Sequence, residues 1–304
     1  MPPLFSSLRF KHLRLIDVLA RTQNLHKVAA ELNITQPGAT KMLREIEAML
    51  GVSLFDRTKR PLAPSEIGQH VVDYARRTLT DGNRFASSVA NLKRGGFGAL
   101  AIGAIMATAP DLLPKAIAEL KRRRPLMTIQ VMAATSDRLT DALGRGELDV
   151  VLGRVPATIG RVDFDFEPLA VEELWAFVSD GHPLAHARTV RLSTLEHVPW
   201  TLQPAPSPMR HLIDALFAAN GLRTLDNIVE TSSVSIMLHL VRHAGMVAVL
   251  PSQIIAPEIE RGDFVRLPIQ IEGHLDPYGI VKRRGEVLAP NASEFVAVIR
   301  ELSA

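Results

Sequence analysis

The stretch from residue 25 to residue 60 constrains this chain most, because it joins two helix signals, a tight connection and a basic hairpin. It reads LHKVAAELNITQPGATKMLREIEAMLGVSLFDRTKR. Asn24 is a suitable N-cap for one helix, and Thr35 or Gln36 for the next, in which Pro37 occupies the first turn. This order predicts a helix-turn-helix followed by a two-stranded wing with a basic tip. Such a unit places its second helix in the DNA major groove.

The second helix of this pair is expected to bury one side, because its apolar residues fall at helical spacing. Gly51, which suits a left-handed helix end, marks where the helix stops. A further helix, predicted from about residue 10 to residue 22, precedes the pair. The expected buried side consists of Met42, Leu43, Ile46, Met49 and Leu50, and the outward side of Thr40, Lys41, Arg44 and Glu47.

A long helix is predicted after the wing, from residue 65 to about residue 92. The residues at heptad spacing are Val71, Thr78, Phe85 and Leu92, with Tyr74 three residues after Val71. Either this seam pairs two chains or the helix is an ordinary amphipathic one. Pairing is favoured, because a lone exposed helix of this length needs a surface that covers its apolar stripe.

Beyond a glycine-rich linker at residues 93–98 the pattern changes to alternating strands and helices. A first βαβαβ series from Leu100 predicts a parallel sheet with right-handed crossovers. A second such series begins around Leu174, and the tail adds a strand at residues 278–282 and a last helix. Two α/β lobes, with the tail returning to the first, would leave a cleft between them.

Positive charge is concentrated in the first part of this 304-residue chain. Residues 1–94 hold 15 Lys and Arg against 8 Asp and Glu, a net of +7, whereas the remainder holds 20 against 24, a net of −4. This distribution indicates a polyanionic partner for the first part only. The sequence has no apolar run of the roughly 18 residues that a membrane span needs. It has no cysteine, which excludes disulfides and thiolate zinc sites and fits a cytoplasmic location.

Taken together, these motifs resemble those of LysR-type transcriptional regulators, and the resemblance covers essentially the whole chain. In the first part it is carried by VAAEL (28–32), TQP (35–37), LREIE (43–47), LGV (50–52), LFDR (54–57) and LAPSEIG (62–68). In the body it is carried by IG (102–103), GELDV (146–150), HPLA (182–185) and GMVAVLP (245–251). The tail PYGIVKRR (277–284) resembles a branch whose members often answer to aromatic acids or sugars.

The resemblance implies an α/β fold class with an all-α-type winged helix-turn-helix domain first and a two-lobed, periplasmic-binding-protein-like effector domain after it. The expected divisions are 1–64 for the DNA-binding domain, 65–94 for a linker helix that dimerises, and 95–304 for the effector domain, with lobe 1 at about 98–167 and 272–304 and lobe 2 at about 168–271.

The same resemblance implies a cytoplasmic regulator, not an enzyme, whose promoter binding and DNA bending are switched by a small organic effector. A carboxylate is the expected effector. The implied partners are double-stranded promoter DNA, RNA polymerase, and further copies of the chain in a homodimer or homotetramer. No cofactor, metal or membrane partner is expected.

Gln36 can make paired hydrogen bonds to an adenine edge, and Thr40 can touch a thymine methyl group. Lys41 and Arg44 can reach phosphate or a guanine edge, unless Arg44 instead pairs with a neighbouring glutamate. The residues expected to contact DNA are Thr35, Gln36, Pro37, Thr40, Lys41, Arg44, Arg57, Lys59 and Arg60. For Arg57, the alternative is a structural pair with Asp56. Gly38 and Thr40 replace the alanine and serine more usual in the family, which affects the expected base preference.

Ligands of open parallel sheets bind beyond the carboxyl ends of strands, where helix N-termini favour carboxylates. Short segments rich in Ser and Thr follow several of the predicted strands. The residues expected to bind the effector are Met106, Thr108, Thr135, Ser136, Thr201, Gln203, Ser207 and Thr231. The alternative for each Ser or Thr is that it caps its own helix, and for Gln203 that it bridges the lobes.

Two other classes of protein compete with this interpretation. An enzyme is disfavoured because the sequence has no GxSxG, HExxH, P-loop or GxGxxG motif, and the pair His239 and His243 lacks a glutamate base between them. A solute-binding protein would share the two lobes, but it would have no use for residues 1–92. Only the regulator would bind promoter DNA with a steep salt dependence.

Overall fold

The computed structural model describes residues 8–56, 58, 61–93, 98–108, 110–155, 163–223, 225–269, 271 and 273–303. The chain forms two compact units, of which the first comprises residues 1–95 and 144–147 and the second comprises residues 96–143 and 148–304. Within the described residues, no helix is long and apolar enough to cross a membrane. The predicted DNA contacts Arg57, Lys59 and Arg60 lie outside the described residues.

The first unit is the predicted helix-turn-helix with its wing and the long helix that follows. Its elements are α1 (Phe10–Thr22), α2 (Leu25–Glu31), α3 (Gln36–Leu50), β1 (Phe55–Asp56), β2 (Ala63–Pro64) and α4 (Glu66–Lys93). Strands β1 and β2 pair antiparallel, with Phe55 opposite Pro64. The wing is therefore a short hairpin between α3 and α4.

Side-chain caps determine where α2 and α3 begin. The Asn24 side chain accepts a hydrogen bond from the His26 backbone N–H at 2.8 Å. Thr35, and not Gln36, caps α3, because its hydroxyl oxygen accepts from the Gly38 N–H at 3.2 Å. Gly51 ends α3 with a φ of 70°, as its place in the sequence predicted. The starts of α2 and α3 and the end of α3 are thus specified by local backbone and side-chain features.

The core of the first unit lies where α3 crosses α1 and α4. Helix α3 buries Ala39, Leu43 and Ile46, which are four and three residues apart and so share one face. These side chains pack in one cluster with apolar residues of α1 and with Val72 and Ala75 of α4. This packing fixes the rotation of α3 about its own axis and leaves its opposite face outward.

The second unit contains ten strands and seven α-helices within the described residues. The strands are β3 (Ala99–Ala104), β4 (Thr128–Ala133), β5 (Val150–Gly153), β6 (Phe164–Ala170), β7 (Leu174–Ser179), β8 (Trp200–Leu202), β9 (Ile228–Glu230), β10 (Val247–Pro251), β11 (Phe264–Arg266) and β12 (Tyr278–Arg283). The helices are α5 (Leu112–Arg123), α6 (Ser136–Gly144), α7 (Leu192–Leu195), α8 (Pro208–Ala219), α9 (Val234–Ala244), α10 (Ser252–Glu260) and α11 (Pro290–Ser303).

The first sheet, in the order β4-β3-β5-β12-β6, is the centre of lobe 1. Strands β4, β3 and β5 are parallel, as the βαβαβ pattern predicted. The tail strand β12 returns to this sheet and pairs antiparallel with both β5 and β6. Strand β6 was not predicted, because its acidic residues and Pro168 obscure the strand signal. Asp165 and Glu167 form ion pairs with Lys282 and Arg300 instead of joining the core.

The second sheet, in the order β11-β7-β10-β8-β9, is the centre of lobe 2. Strands β10, β8 and β9 pair in parallel, whereas β7 runs antiparallel to both of its neighbours, β10 and β11. The expectation of a second wholly parallel series was therefore wrong for β7, while β11 runs in the same direction as β10 but is paired with β7. The chain passes between the sheets at residues 171–173 and again after β11. Because β6 stays in the first sheet to Ala170, the first crossing falls three residues later than the expected lobe boundary.

Gly279 marks the tightest backbone approach in the first sheet. A methyl group built on it would lie 1.9 Å from the carbonyl oxygen of Glu167 on β6, where the pairing register shifts. We expect Gly279→Ala to lower the free energy of unfolding by about 1–3 kcal/mol or more, because overpacking here must displace backbone. Denaturant unfolding followed by circular dichroism measures this loss.

The matched control is Gly181→Ala in the same unit. No atom of the described residues lies within 4 Å of a methyl group built at Gly181. This change should leave the free energy of unfolding within about 0.5 kcal/mol of that of the unchanged protein. Equal losses from the two substitutions would contradict the close approach of β12 to β6.

Candidate DNA-binding face and effector cleft

The outward face of α3 begins at its capped end. Thr35, Gln36 and Pro37 are exposed, as are Lys41 and Arg44 farther along the helix. Positions 36, 40 and 44 are four residues apart and therefore lie along one side of the helix. The predicted residues of α3 are thus brought together on a single face, opposite the buried Leu43 and Ile46.

The cations of this face are weakly engaged within the protein. The Lys41 side chain is 81% exposed, and its Nζ atom lies 4.0 Å from the Glu45 carboxylate, which is a loose ion pair. Arg44 has no ion pair with Glu45 or Glu47 among the described residues. Glu47 instead accepts a hydrogen bond from the Leu54 backbone N–H at 2.9 Å and fixes the chain after α3. The alternative role of Arg44 as a partner of these glutamates is therefore not favoured.

Thr40 is less outward than predicted. It is half-buried, and its hydroxyl donates a hydrogen bond to the Gln36 carbonyl oxygen at 3.1 Å. Threonine commonly satisfies its hydroxyl in this way inside a helix. The methyl group is then the part of Thr40 that remains for a contact with a base.

The second candidate site is a closed cleft between the two lobes. Its walls come from the carboxyl ends of β3, β4, β5 and β8, from the start of α8, and from both chain crossings between the lobes. The residues that line it are Ile105, Met106, Ala134, Thr135, Ser136, Arg154, Glu172, Gln203, Pro208, Met209 and Leu275. The cavity has a volume of only about 20 Å³, which is room for about one water molecule. In this arrangement the cavity is too small for a ligand of several carbon atoms.

Four of the eight predicted effector residues meet at this cleft, namely Met106, Thr135, Ser136 and Gln203. They come from both lobes, and the Gln203 side-chain nitrogen donates to the Met106 sulfur at 3.6 Å. Gln203 therefore bridges the lobes in this closed arrangement. Because this contact is long and weak, its loss on opening costs little.

The other four predicted residues are not among those that line the cleft. Thr108 donates its hydroxyl hydrogen to the Ile105 carbonyl oxygen, Ser207 caps α8, and the Thr231 oxygen accepts from the Ser233 N–H. These local bonds favour the capping and turn roles that were the alternatives for these residues. Thr201 is fully buried within lobe 2, and its hydroxyl has no hydrogen-bond partner among the described residues.

Sequence reasoning missed the two charged residues of the cleft, Arg154 and Glu172. Arg154 directly follows the buried strand β5, and Glu172 lies in the first crossing between the lobes. Their side chains are 6% and 2% exposed, and the Arg154 Nη2 atom lies 3.0 Å from the Glu172 Oε2 atom. A charged residue directly after an apolar strand is the signal that would have pointed to Arg154.

This ion pair is incompletely satisfied. The Arg154 Nη2 atom and both Glu172 carboxylate oxygens lack a well-aligned hydrogen bond within the described residues. The two charges nevertheless compensate each other in part, because they approach to 3.0 Å. Burial raises the pKa of the Glu172 carboxyl, and the positive charge of Arg154 opposes this shift. Burial also raises the pKa of Tyr278, over whose ring the Arg154 guanidinium lies at 5.8 Å.

The two histidines considered for a metal site lie on α9. Their rings, from His239 and His243, stack with centroids 5.8 Å apart and an interplanar angle of 7°. Both residues are exposed. The residues that the structure describes contain no group of three or more His, Asp or Glu side chains placed to hold a metal ion.

Comparison with known families gives one match in each part of this chain. Residues 10–69 match the family described as "Bacterial regulatory helix-turn-helix protein, lysR family". Residues 93–304 match the family described as "LysR substrate binding domain", which is more than half of the chain. The chain belongs to the LysR family. It is therefore a LysR-type, DNA-binding transcriptional regulator with an effector-binding domain.

Similar proteins agree with the LysR assignment. The chain is 32% identical to the HTH-type transcriptional regulator GbpR of Azospirillum brasilense, over 99% of this chain and 88% of the relative. It is 28% identical to the HTH-type transcriptional regulator GalR of Pseudomonas putida, over 96% of this chain and 73% of the relative. Among solved structures, CbnR, a LysR family transcriptional regulator, shares the fold with a TM-score of 0.65 at 22% identity, over 98% of this chain and 100% of that chain.

The cap of α3 in this LysR-family protein provides a test of how the DNA-binding face is held. We expect Thr35→Ala to lower the free energy of unfolding of the amino-terminal unit by about 1 kcal/mol, because the Gly38 N–H loses its acceptor. Thr35→Ser keeps the hydroxyl and should restore most of the loss. Denaturant titration followed by helical circular dichroism provides the comparison. If serine is as damaging as alanine, the cap does not stabilise α3.

Proposed function

We propose that this LysR-family protein is a cytoplasmic promoter-binding regulator, not an enzyme, whose DNA binding is switched by a small organic acid held between the two lobes. The observation that carries the DNA-binding part is the outward face of α3. There Gln36, Lys41 and Arg44 stand exposed on a helix whose start is fixed by its cap. The net charge of +7 over residues 1–94 supports a polyanionic partner for this unit.

On this proposal α3 lies in the major groove and reads bases mainly through its first turns. Gln36 offers the paired donor and acceptor that an adenine edge requires, and the Thr40 methyl group suits a thymine methyl. Lys41 and Arg44 bind phosphate or a guanine edge. Thr35 and Pro37 shape the approach of the helix to DNA, and the wing residues Arg57, Lys59 and Arg60 contact phosphates or a narrow minor groove.

Pairing of two chains through α4 would give the binding its specificity. The Val72 and Ala75 side of α4 packs in the core, yet Ile67, Tyr74 and Phe85 are 53%, 40% and 72% exposed. Such large apolar side chains on the outer side of a long helix favour an interface with a second copy. A dimer reads two half-sites about 10 base pairs apart or a multiple of that spacing.

The finer organisation follows the family pattern. We assign residues 1–64 to the DNA-binding domain, 65–94 to the dimerising helix and 95–304 to the effector domain. We further propose that two dimers form a homotetramer, that this assembly bends promoter DNA, and that the bend controls access of RNA polymerase. The solved structure of full-length CbnR complexed with its target DNA, with a TM-score of 0.64, supports DNA as the partner of this fold.

The effector is proposed to bind between the lobes. Thr135 and Ser136 stand at the start of α6, where unpaired backbone N–H groups and the helix dipole favour a carboxylate. Because the closed cavity has a volume of about 20 Å³, an acid of several carbon atoms binds a more open arrangement and increases its population. The resulting change in lobe geometry would alter the geometry of the DNA-bound oligomer.

The role of Gln36 gives a base-specific prediction. In mobility-shift titrations with DNA from beside its own gene, Gln36→Ala should lose about 1–3 kcal/mol of binding free energy at one base pair of the site, because a paired hydrogen bond to that base is removed. Binding to unrelated DNA should not change. A uniform loss across all sequences would contradict a base-reading role.

Lys41→Ala is the matched control on the same face. Because a phosphate contact carries no sequence information, this change should weaken binding nearly uniformly. It should also reduce the slope of log affinity against log salt concentration by about 1. Opposite patterns in the two variants would mean that the roles of the two side chains are exchanged.

The switching proposal predicts a change in DNA geometry. Mobility shifts with circularly permuted DNA fragments report the bend angle, and an organic acid that binds the full-length protein should change that angle. The physical reason is that the acid stabilises only one lobe arrangement. If only neutral or cationic compounds alter the complex, the organic-acid part of the proposal is wrong, while DNA binding itself is unaffected.

A further inference from the structure

The buried pair Arg154 and Glu172 sets a chemical requirement on whatever occupies the cleft. Both side chains line the cavity and are more than nine-tenths buried. The Arg154 Nη2 atom and both Glu172 carboxylate oxygens lack hydrogen-bond partners within the described residues, although the two groups approach to 3.0 Å. The two charged groups therefore satisfy each other only in part, and groups that reach them from inside the cleft can supply the missing hydrogen bonds.

A ligand that satisfies both Arg154 and Glu172 must carry hydrogen-bond donors and acceptors on neighbouring atoms. A guanidinium group only donates hydrogen bonds, and a carboxylate only accepts them. A hydroxyl group does both, so hydroxyls on adjacent carbons can donate to Glu172 and accept from Arg154 at the same time. A water molecule has the same combination of donor and acceptor, so ligand hydroxyls can reproduce the hydrogen bonds that solvent would make there.

A carboxylate without hydroxyl groups does not meet this requirement. It would bind Arg154, but it would face the negative charge of Glu172 in a buried site and would leave the Glu172 oxygens without donors. Arg154 and Glu172 are the charged residues among those described that line the cavity, and their charges cancel. No aromatic side chain is among the described lining residues, which gives a benzene ring no stacking partner.

We infer that the effector carries hydroxyl groups on neighbouring carbon atoms, and that Arg154 and Glu172 select it by binding them. This inference rests on the proposed function, because it assumes that the cleft is the effector site. It favours a polyhydroxylated acid over a plain aliphatic or aromatic acid. A neutral polyol or sugar also carries hydroxyl groups on neighbouring carbon atoms. Titration with both kinds of compound separates a polyhydroxylated acid from a neutral polyhydroxylated ligand.

The position of the pair connects recognition to lobe movement. Glu172 lies in the first crossing between the lobes. The Arg154 Nε atom donates at 2.6 Å to the carbonyl oxygen of Asp276, which lies in the second crossing. Arg154 therefore contacts both connections between the lobes. Hydroxyl groups bound at the pair act directly on the two segments that must change when the cleft opens.

The test is isothermal titration of the full-length protein with two matched sets of compounds that have six or seven carbon atoms, and with one aromatic acid. The linear set is gluconate, sorbitol and hexanoate, and the ring set is glucuronate, glucose and cyclohexanecarboxylate, with benzoate as the aromatic acid. We expect a polyhydroxylated member to bind and the acids without hydroxyl groups to bind at least 10-fold more weakly. Equal binding of hexanoate, cyclohexanecarboxylate or benzoate, or no binding of any polyhydroxylated member, would overturn the inference.

Glu172→Gln tests the pair itself. It keeps the side-chain shape but replaces one acceptor with a donor, so affinity for the bound polyhydroxylated compound should fall about 10- to 100-fold. The control is Glu173→Gln, whose side chain is 61% exposed and pairs with Arg266 at 3.1 Å. This control should bind like the unchanged protein. Equal affinity in all three proteins overturns the inference, and the comparison of unmodified ligands does not depend on the folding of either variant.

The outcomes separate this inference from the proposed function. If benzoate or hexanoate binds and hydroxylated compounds do not, the organic-acid effector stands and the inference fails. If sorbitol or glucose binds and no acid does, the inference stands and the organic-acid part of the proposed function fails. DNA binding is measured independently by mobility shift and is unaffected by either result.

Discussion

The burial of Ala39, Leu43 and Ile46 is the interaction on which the DNA-binding face depends. These side chains fix the rotation of α3 against α1 and α4, so they also determine which side chains point outward. The cap at Thr35 fixes where the helix begins, and Glu47 fixes the chain that leaves it by accepting from the Leu54 N–H. Apolar packing thus sets the orientation of the helix, whereas polar contacts set its two ends.

The effector domain buries one incompletely satisfied ion pair, Arg154 and Glu172, beside the segments that connect its two lobes. Most of its buried residues are apolar and pack on the two sheets. Arg154 and Glu172 depart from this pattern, because they are buried as an incompletely satisfied ion pair beside a small cavity. Incompletely satisfied buried charges lower stability unless something else compensates. Glu172 lies in the first crossing, and Arg154 contacts both Glu172 and the Asp276 carbonyl oxygen of the second crossing, which supports a function in ligand-dependent movement instead of a function in stability.

The sequence was sufficient where local signals determine structure, and insufficient where long-range pairing does. The bounds of α1 and α3, the cap at Asn24 and the helix end at Gly51 depend on neighbours within a few residues, and each agrees with the structure. The antiparallel direction of β7 depends on β10 and β11, more than 70 residues away in the chain, so no local pattern contains it. Strand β6 was missed as well, because charges and a proline interrupt its local pattern. It forms a strand by pairing with β12, more than 100 residues later in the chain.

The effector cleft shows a similar limit. Met106, Thr135, Ser136 and Gln203 were predicted because they follow strands, which is a topological rule that the sequence can apply, and the structure places them at the cleft. Arg154 follows a strand as well, but Glu172 lies in a connection, and only the three-dimensional structure brings the two within 3.0 Å of each other. If the cleft binds the effector as we propose, this pair contributes more to the choice of ligand than the Ser and Thr residues around it. A pattern of residues after strands can be read from the sequence, whereas the approach of Arg154 to Glu172 depends on how the connections between the lobes fold.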